Sequence, residues 1–300
     1  MENFILILLA ITVGYIIQRL NIFSKEAATI LNQFAIYISL PAMILLQVPK
    51  LTFSIESLIP IIIAWSVMII SAVLILIISK FFSFSKEIIG SLMLVSILTN
   101  SSFLGIPIIN AYMGESALPY ILVYDQLGTF IAFSIYGTFI VSFYTSKKEI
   151  NFKIFTLKVL TSPPLIALVI ALLLMGVEFH PVISKVLSSF ANTIVPIALV
   201  AVGLQLQFKL PREDLKPFSV ALFIKLIIAP IIAIIICKIF DWNNQASIVS
   251  IIMEAGMAPM ITAGAIASMA GLAPRLSSAI VGYGILISFV TTGILFKLIS

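Results

Sequence analysis

The sequence predicts an all-α integral membrane protein with ten transmembrane helices, arranged as two inverted five-helix repeats. Three observations predict it. Hydrophobic residues make up 61% of the 300-residue chain and charged residues only 10%, against about a quarter charged in an ordinary soluble domain. The apolar residues gather into ten runs, most of them long enough to cross a hydrocarbon core of about 30 Å. Short patterns in the first half return in the second at offsets of 152 to 158 residues. An odd number of spans per half then makes the second half enter from the opposite side.

The first run covers residues 3–18 and ends at Gln18 and Arg19. It lacks the basic n-region and small-residue cleavage site of a signal peptide, so it reads as a span. The second, 27–47, carries Pro41, and the third covers 57–79. The fourth, 87–113, is interrupted at 100–107. The fifth, 117–144, opens on Pro119, a residue suited to a first helical turn. A polar link at 145–156 separates a first repeat, 1–144, from a second, 157–300. The runs of the second repeat are 157–176, with Pro163 and Pro164 near its start, 182–204 with Pro196, 218–240 with Pro230, 245–269 interrupted at 256–259, and 273–299 opening on Pro274.

The repeat is carried by particular residues. Leu31-Asn32-Gln33-Phe34-Ala35 matches Leu187-Ser188-Ser189-Phe190-Ala191, and each is followed by its span's proline, Pro41 or Pro196. Ile77-Ile78-Ser79-Lys80 matches Ile235-Ile236-Cys237-Lys238. Pro107 answers Pro259, and Ala117-Leu118-Pro119 answers Leu272-Ala273-Pro274. Apolar sequences match easily, so the constant order and offset carry the weight.

Alternating the loops of ten spans puts twelve Lys and Arg on one side: Arg19, Lys25, Lys80, Lys86, Lys147, Lys148, Lys153, Lys158, Lys209, Arg212, Lys216 and Arg275. Four lie on the other, Lys50, Lys185, Lys238 and Lys297. The rich side is expected in the cytoplasm, which places the protein in the cell membrane with both termini outside. This bias accounts for the net charge of +5, so a nucleic-acid partner is not expected. The single cysteine, Cys237, excludes an intrachain disulfide. The single histidine, His180, argues against a His-based metal cluster or a Ser-His-Asp triad, and no metal or other cofactor is expected.

The fourth and ninth runs carry the functional signal. In Asn100-Ser101-Ser102-Phe103-Leu104-Gly105-Ile106-Pro107, Gly105 is a poor helix former and Pro107 lacks an N–H, while Asn100, Ser101 and Ser102 supply polar atoms at the same depth. Glu254-Ala255-Gly256-Met257-Ala258-Pro259 repeats the pattern one half-length later. Unpaired backbone costs several kcal/mol in hydrocarbon, so it survives only where protein buries it or a watery cavity meets it. Breaks at corresponding places in two halves point to a transporter's midplane site.

These breaks, the ten spans and the central link resemble the auxin efflux carrier family, over essentially the whole chain. Its bacterial members include presumed malonate and malate permeases. The long hydrophilic central loop of the plant auxin exporters is absent. The resemblance implies the fold of bile-acid sodium symporters, with broken fourth and ninth helices that cross. It implies a scaffold of helices 1, 2, 6 and 7, often a homodimer interface, and a transport domain of helices 3–5 and 8–10 that moves as an elevator. The expected cargo is a small organic anion, a mono- or dicarboxylate. Helix N-termini at the crossing would attract its carboxylate and carbonyl ends would suit a cation or a donor group. The binding set is expected to include Asn100, Ser101, Ser102, Gly105, Pro107, Met257, Ala258 and Pro259.

Three ionisable residues lie within spans, Asp125, Glu254 and Lys225. Such residues usually face the interior or a cavity. Asp125 or Glu254 is expected to carry a proton or bind a cation that moves with substrate. The competing reading is a structural pair with Lys225, or Lys225 snorkelling to the surface. Ser39 beside Pro41 and Asn192 beside Pro196 either face substrate from the scaffold or satisfy carbonyls freed by the kinks. Gly264 and Ser268 read as a close-packing pair. The rival functions are a sodium-coupled carrier of a larger amphipathic anion, a transporter-like sensor, and an intramembrane enzyme. The last is disfavoured because only Asp125 lies mid-span, where an aspartyl protease needs two.

Overall fold

A computed structural model describes residues 2–24, 26–50, 58–145, 161–206, 212–242 and 245–300. Most of the central link lies outside the described residues, as do Lys25, Lys147, Lys148, Lys153, Lys158 and Lys209 of the charge count. The described residues form helices and no strand. In chain order these are α1 Glu2–Arg19, α2 Ala27–Lys50, α3 Ile59–Phe81, α4 Lys86–Val95, α5 over residues 101–113, and α6 Glu115–Tyr144. Then follow α7 Pro163–Leu173, α8 Pro181–Gln205 with a turn at Asn192 and Thr193, α9 Arg212–Ile239, α10 Gln245–Ala255, α11 Ile261–Met269 and α12 Pro274–Ile299. Six of them, α2, α3, α6, α8, α9 and α12, are long and apolar enough to cross a membrane. The chain therefore builds a multi-pass membrane protein.

Prolines set the local backbone of three helices. Leu40, Ile106 and Ala229 donate their N–H groups five residues back, to the carbonyls of Ala35, Ser101 and Ile224. The next residue in each case is proline: Pro41, Pro107 and Pro230. A proline ring collides with the carbonyl four residues before it, and a wide π-type turn absorbs that collision without ending the helix. The wide turn at 224–228 carries Lys225.

The first break lies earlier than the sequence predicts. α4 ends at Val95 and residues 96–100 are non-helical. Asn100, with φ −83° and ψ 64°, is the last residue before the helix resumes. Gly105 and Pro107 therefore belong to α5, because the wide turn at 101–105 accommodates Pro107. The second break runs from Gly256 to Met260. Thr99 pairs with Pro259 across the two breaks, so Pro107 and Pro259 occupy different places despite their match in sequence.

Contacts divide the helices into two groups. α1, α2, α7 and α8 pack on one another, and α3 to α6 pack with α9 to α12. Contact between the groups runs from α8 and α1 to α5 and from α2 and α7 to α6. The tightest helix pair is α1 with the second part of α8. A Cβ on Gly14 would lie 3.0 Å from Gly203 Cα, and one on Gly203 would lie 2.9 Å from Gly14 Cα. Backbone cannot yield as a side chain can, so Gly203→Leu is expected to cost about 1–3 kcal/mol or more, read as a fall in thermal stability of the detergent-purified protein.

The same helix ending occurs at the ends of α3 and α9. Ser83 and Asp241 have φ of 54° and 49°. The N–H groups of Ser83 and Phe84 bond Lys80 and Ser79 carbonyls, and those of Asp241 and Trp242 bond Lys238 and Cys237 carbonyls, the Schellman pattern. Aromatic rings stack at each, Phe82 on Phe84 at 5.7 Å and Phe240 on Trp242 at 5.1 Å. The two endings stand 158 residues apart in the chain.

Candidate functional site

The two breaks cross and hydrogen bond to each other. Asn100 N–H donates to Ala258 O at 2.9 Å, and Met260 N–H donates to Leu98 O at 3.0 Å. Each break is buried, so the other's backbone takes the place of water as its partner. Helices α5 and α11 both start at the crossing, and by their bonding patterns the first N–H groups of each have no partner within the helix. α4 and α10 end there with carbonyls. Glycines let the layers close. A Cβ on Gly284 of α12 would fall 2.6 Å from Pro259 Cδ, and one on Gly105 would fall 2.7 Å from the Glu254 carboxyl carbon.

Asp125 is buried, and its carboxylate accepts from the hydroxyls of Ser101 and Ser102, the latter at 2.6 Å, and from Gln126 Nε2 at 2.5 Å. A carboxylate of the protein thus already sits at the first turn of α5, where the positive end of the helix favours it. Ser101 and Ser102 spend their protons on Asp125, so as donors they do not face an anion. Asn100 differs: it is 3% exposed and its Nδ2 has no hydrogen-bond partner among the described residues.

Lys225 is fully buried and donates to Thr99 Oγ1 at 2.6 Å and to Ala255 O at 3.0 Å. Ala255 is the last residue of α10, so the ammonium sits on the negative end of that helix and on the break before α5. This overturns the snorkelling reading. Among the described residues no carboxylate makes a direct ion pair with Lys225 within 4.0 Å, although the buried Glu254 carboxyl is close enough for their charges to interact. Glu254 is also fully buried, and neither of its carboxylate oxygens has a hydrogen-bond partner among the described residues. A carboxylate so placed is tolerated only when a proton, a cation or water satisfies it.

Ser39 and Thr193 hydroxyls meet at 2.6 Å where the kink of α2 touches the turn of α8. Thr193 gives its proton to Phe190 O at 2.6 Å, so Ser39 is the donor. Asn192 is exposed and bonds Ser188 at 3.4 Å. Pro41 and Pro196 lie in the first turns of the helical segments Leu40–Gln47 and Ile194–Gln205. The Ser39–Thr193 bond joins the two kinks. A cavity of about 590 Å³ lies between the helix groups, lined by Gln18, Thr29, Gln205, Ile261, Ser268 and Ser278 among others. It ends at Ile261, the residue after the crossing, and Asn100 is not part of its wall. Ser268 thus faces a cavity, whereas Gly264 also packs on Val281.

Comparison with known proteins bears on this arrangement. The family described as membrane transport protein matches residues 1–296. The chain belongs to this family, that of the auxin efflux carriers. Similar proteins include an uncharacterized transporter of Methanocaldococcus jannaschii, 25% identical over 272 residues that cover 87% of each chain. An uncharacterized transporter of Methanothermobacter thermautotrophicus is 23% identical over 275 residues, 89% of this chain and 87% of the relative.

Sequence reasoning singled out fifteen residues and missed three that complete the geometry: Thr99, Gln126 and Thr193. Thr99 and Gln126 adjoin Asn100 and Asp125, so a wider reading of each polar patch includes them. Nothing in the sequence placed Lys225 at the crossing. Its position depends on how α9 packs.

Proposed function

We propose that this auxin efflux carrier family member is a secondary transporter of a small organic anion, a mono- or dicarboxylate. The observation that carries the reading is the unpaired Asn100 amide, buried beside the N-terminus of α11 where two broken helices cross. Since Asp125 occupies the first turn of α5, substrate carboxylate binds between Asn100 Nδ2 and the free N–H groups of α11. The ten spans form two inverted five-helix repeats. The repeated helix endings 158 residues apart and the Ser39–Thr193 contact, 154 residues apart, support this. The group α1, α2, α7 and α8 serves as scaffold. The other helices carry the crossing past it as an elevator, and the 590 Å³ cavity between the groups is the cytoplasmic approach.

Coupling to protons fits the site better than coupling to sodium. Lys225 places its amino group on the α10 carbonyl end, where a bound cation would otherwise be favoured. Glu254, with two unpartnered oxygens, takes the travelling proton. Glu254→Gln is therefore expected to preserve ligand binding and to flatten the pH dependence of uptake into proteoliposomes. An unchanged pH profile removes Glu254 from coupling.

Thermal stability of the purified protein against a panel of carboxylates, with and without sodium, tests the reading. A ligand at a hundred times its dissociation constant adds about 2.7 kcal/mol of apparent stability. The expected result is a shift for malonate or malate that needs no sodium and disappears in Asn100→Ala. A sodium-requiring shift favours the amphipathic-anion carrier. A shift retained in Asn100→Ala moves the site elsewhere.

A further inference from the structure

A second cavity lies within the second helix group, against α9. It is a groove of about 720 Å³ between α9, α10 and the end of α12, walled mostly by aliphatic side chains from Leu226 and Pro230 through Ile234 to Leu298. It opens to the apolar surface of the molecule: Ile231 is 43% and Ile294 56% exposed. At one end stand Lys238, Asp241 and Trp242. The Schellman ending of α9 fixes these three, with Asp241 in the left-handed region and Trp242 stacked on Phe240. Lys238 and Asp241 are exposed at this rim, and no ion pair joins them.

Length and charge identify the occupant. From Leu226 to Lys238 the helix rises about 18 Å at 1.5 Å per residue. One leaflet of the hydrocarbon core is about 15 Å, half of the whole, and a tryptophan marks the level of the lipid headgroups. The groove therefore runs from the headgroup level to the middle of the bilayer, the span of one acyl chain. Its rim offers a cation and an anion side by side. That pair matches a headgroup with a phosphate and a hydrogen-bonding ammonium better than it matches a purely anionic one. We infer that the groove between α9, α10 and α12 binds one acyl chain of an aminophospholipid such as phosphatidylethanolamine, with its phosphate on Lys238 and its ammonium on Asp241. The inner end of the groove reaches Pro230 and Ile252, on the helices that carry Lys225 and Glu254, so the lipid forms one wall behind the crossing.

The chain has two tryptophans, so Trp65→Phe leaves Trp242 as the reporter. The full-length Trp65→Phe protein in detergent is titrated with phosphatidylethanolamine bearing brominated acyl chains, which quench tryptophan on contact. The expected result is a single saturating phase. Brominated phosphatidylglycerol and phosphatidylcholine should need several-fold more lipid. Lys238→Gln and Asp241→Asn should each raise the half-saturating concentration of the ethanolamine lipid several-fold, and Thr291→Phe, which fills the groove, should weaken all three lipids. Quenching that rises without saturation, or that ignores headgroup, Lys238→Gln and Asp241→Asn alike, would show only the ordinary lipid annulus and overturn the assignment. Tighter binding of phosphatidylglycerol would overturn the ammonium contact at Asp241.

Discussion

Lys225→Met is expected to leave the protein folded, with thermal stability within about 2 kcal/mol of the parent, while carboxylate uptake falls at least about a hundredfold. The two halves of this expectation have separate causes. Burying an ammonium costs several kcal/mol, and Met fills nearly the same length of space at no such cost. Against that, Met leaves Thr99 Oγ1 and Ala255 O without their donor, a loss of about 1–3 kcal/mol. The opposed terms nearly cancel. Function has no such compensation. Lys225 sets its amino group on the α10 end, and Glu254, whose oxygens have no hydrogen-bond partner among the described residues, lies on the same helix. Without Lys225 the carbonyl end is left open to a cation, and the proposed proton coupling loses its counter-charge. Thermal unfolding and proteoliposome uptake of the same preparation measure both quantities. A loss of several kcal/mol with uptake intact would make Lys225 a structural bracket and nothing more.

Much of the fold was legible because hydrocarbon imposes few choices. Backbone that cannot bond water must be helical, so the apolar runs from 3–18 to 273–299 are mostly helix where their residues are described, apart from the breaks at 96–100 and 256–260, the turn at 192–193 and the run ends. Proline was read less well. Pro107 read as part of an interruption and Pro41 as a kink, yet each, like Pro230, is absorbed by a wide turn, and the first true break falls at 96–100 among residues without proline or glycine. What opens the backbone there is the partner strand of the second break, through the bonds of Asn100 to Ala258 and Met260 to Leu98. That is a tertiary cause, and local propensity does not contain it. The same limit explains the site. Polar residues in apolar runs were conspicuous, so Asn100, Asp125, Lys225 and Glu254 could be named. Their division of labour was not visible, because it depends on which hydroxyl faces which carboxylate. Ser101 and Ser102 looked like ligand contacts, and their bonds to Asp125 were not visible. Lys225 looked like a surface-seeking or paired lysine and instead caps a helix end.

Asp125→Ala is expected to be the most destabilising single change at the crossing, about 3–5 kcal/mol. The carboxylate accepts three hydrogen bonds, from Ser101, Ser102 and Gln126. Hydrogen bonds to a charged group contribute about 1.5–3 kcal/mol each, and removing one partner leaves buried donors unsatisfied. Charge removal returns part of the desolvation cost, which holds the net loss below the sum of the three bonds. The effect should depend on the serines. If Asp125 acts by fastening the first turn of α5 to α6, Ser101→Ala with Ser102→Ala removes the donors that Asp125→Ala strands. The triple variant should then be more stable than the sum of the separate losses predicts, by about 0.5–3 kcal/mol, the range for residues in one hydrogen-bonded network. Additive losses would mean that the three residues act independently. The functional consequence follows from the same fastening. Once Asp125 is gone the N-terminus of α5 no longer has a carboxylate of its own, so the crossing offers a substrate two vacant helix ends instead of one. Dicarboxylate binding to Asp125→Ala, measured by thermal shift at a temperature where the variant is folded, should therefore be retained or tightened even as uptake fails. Loss of binding together with uptake would place Asp125 among the groups that hold the substrate.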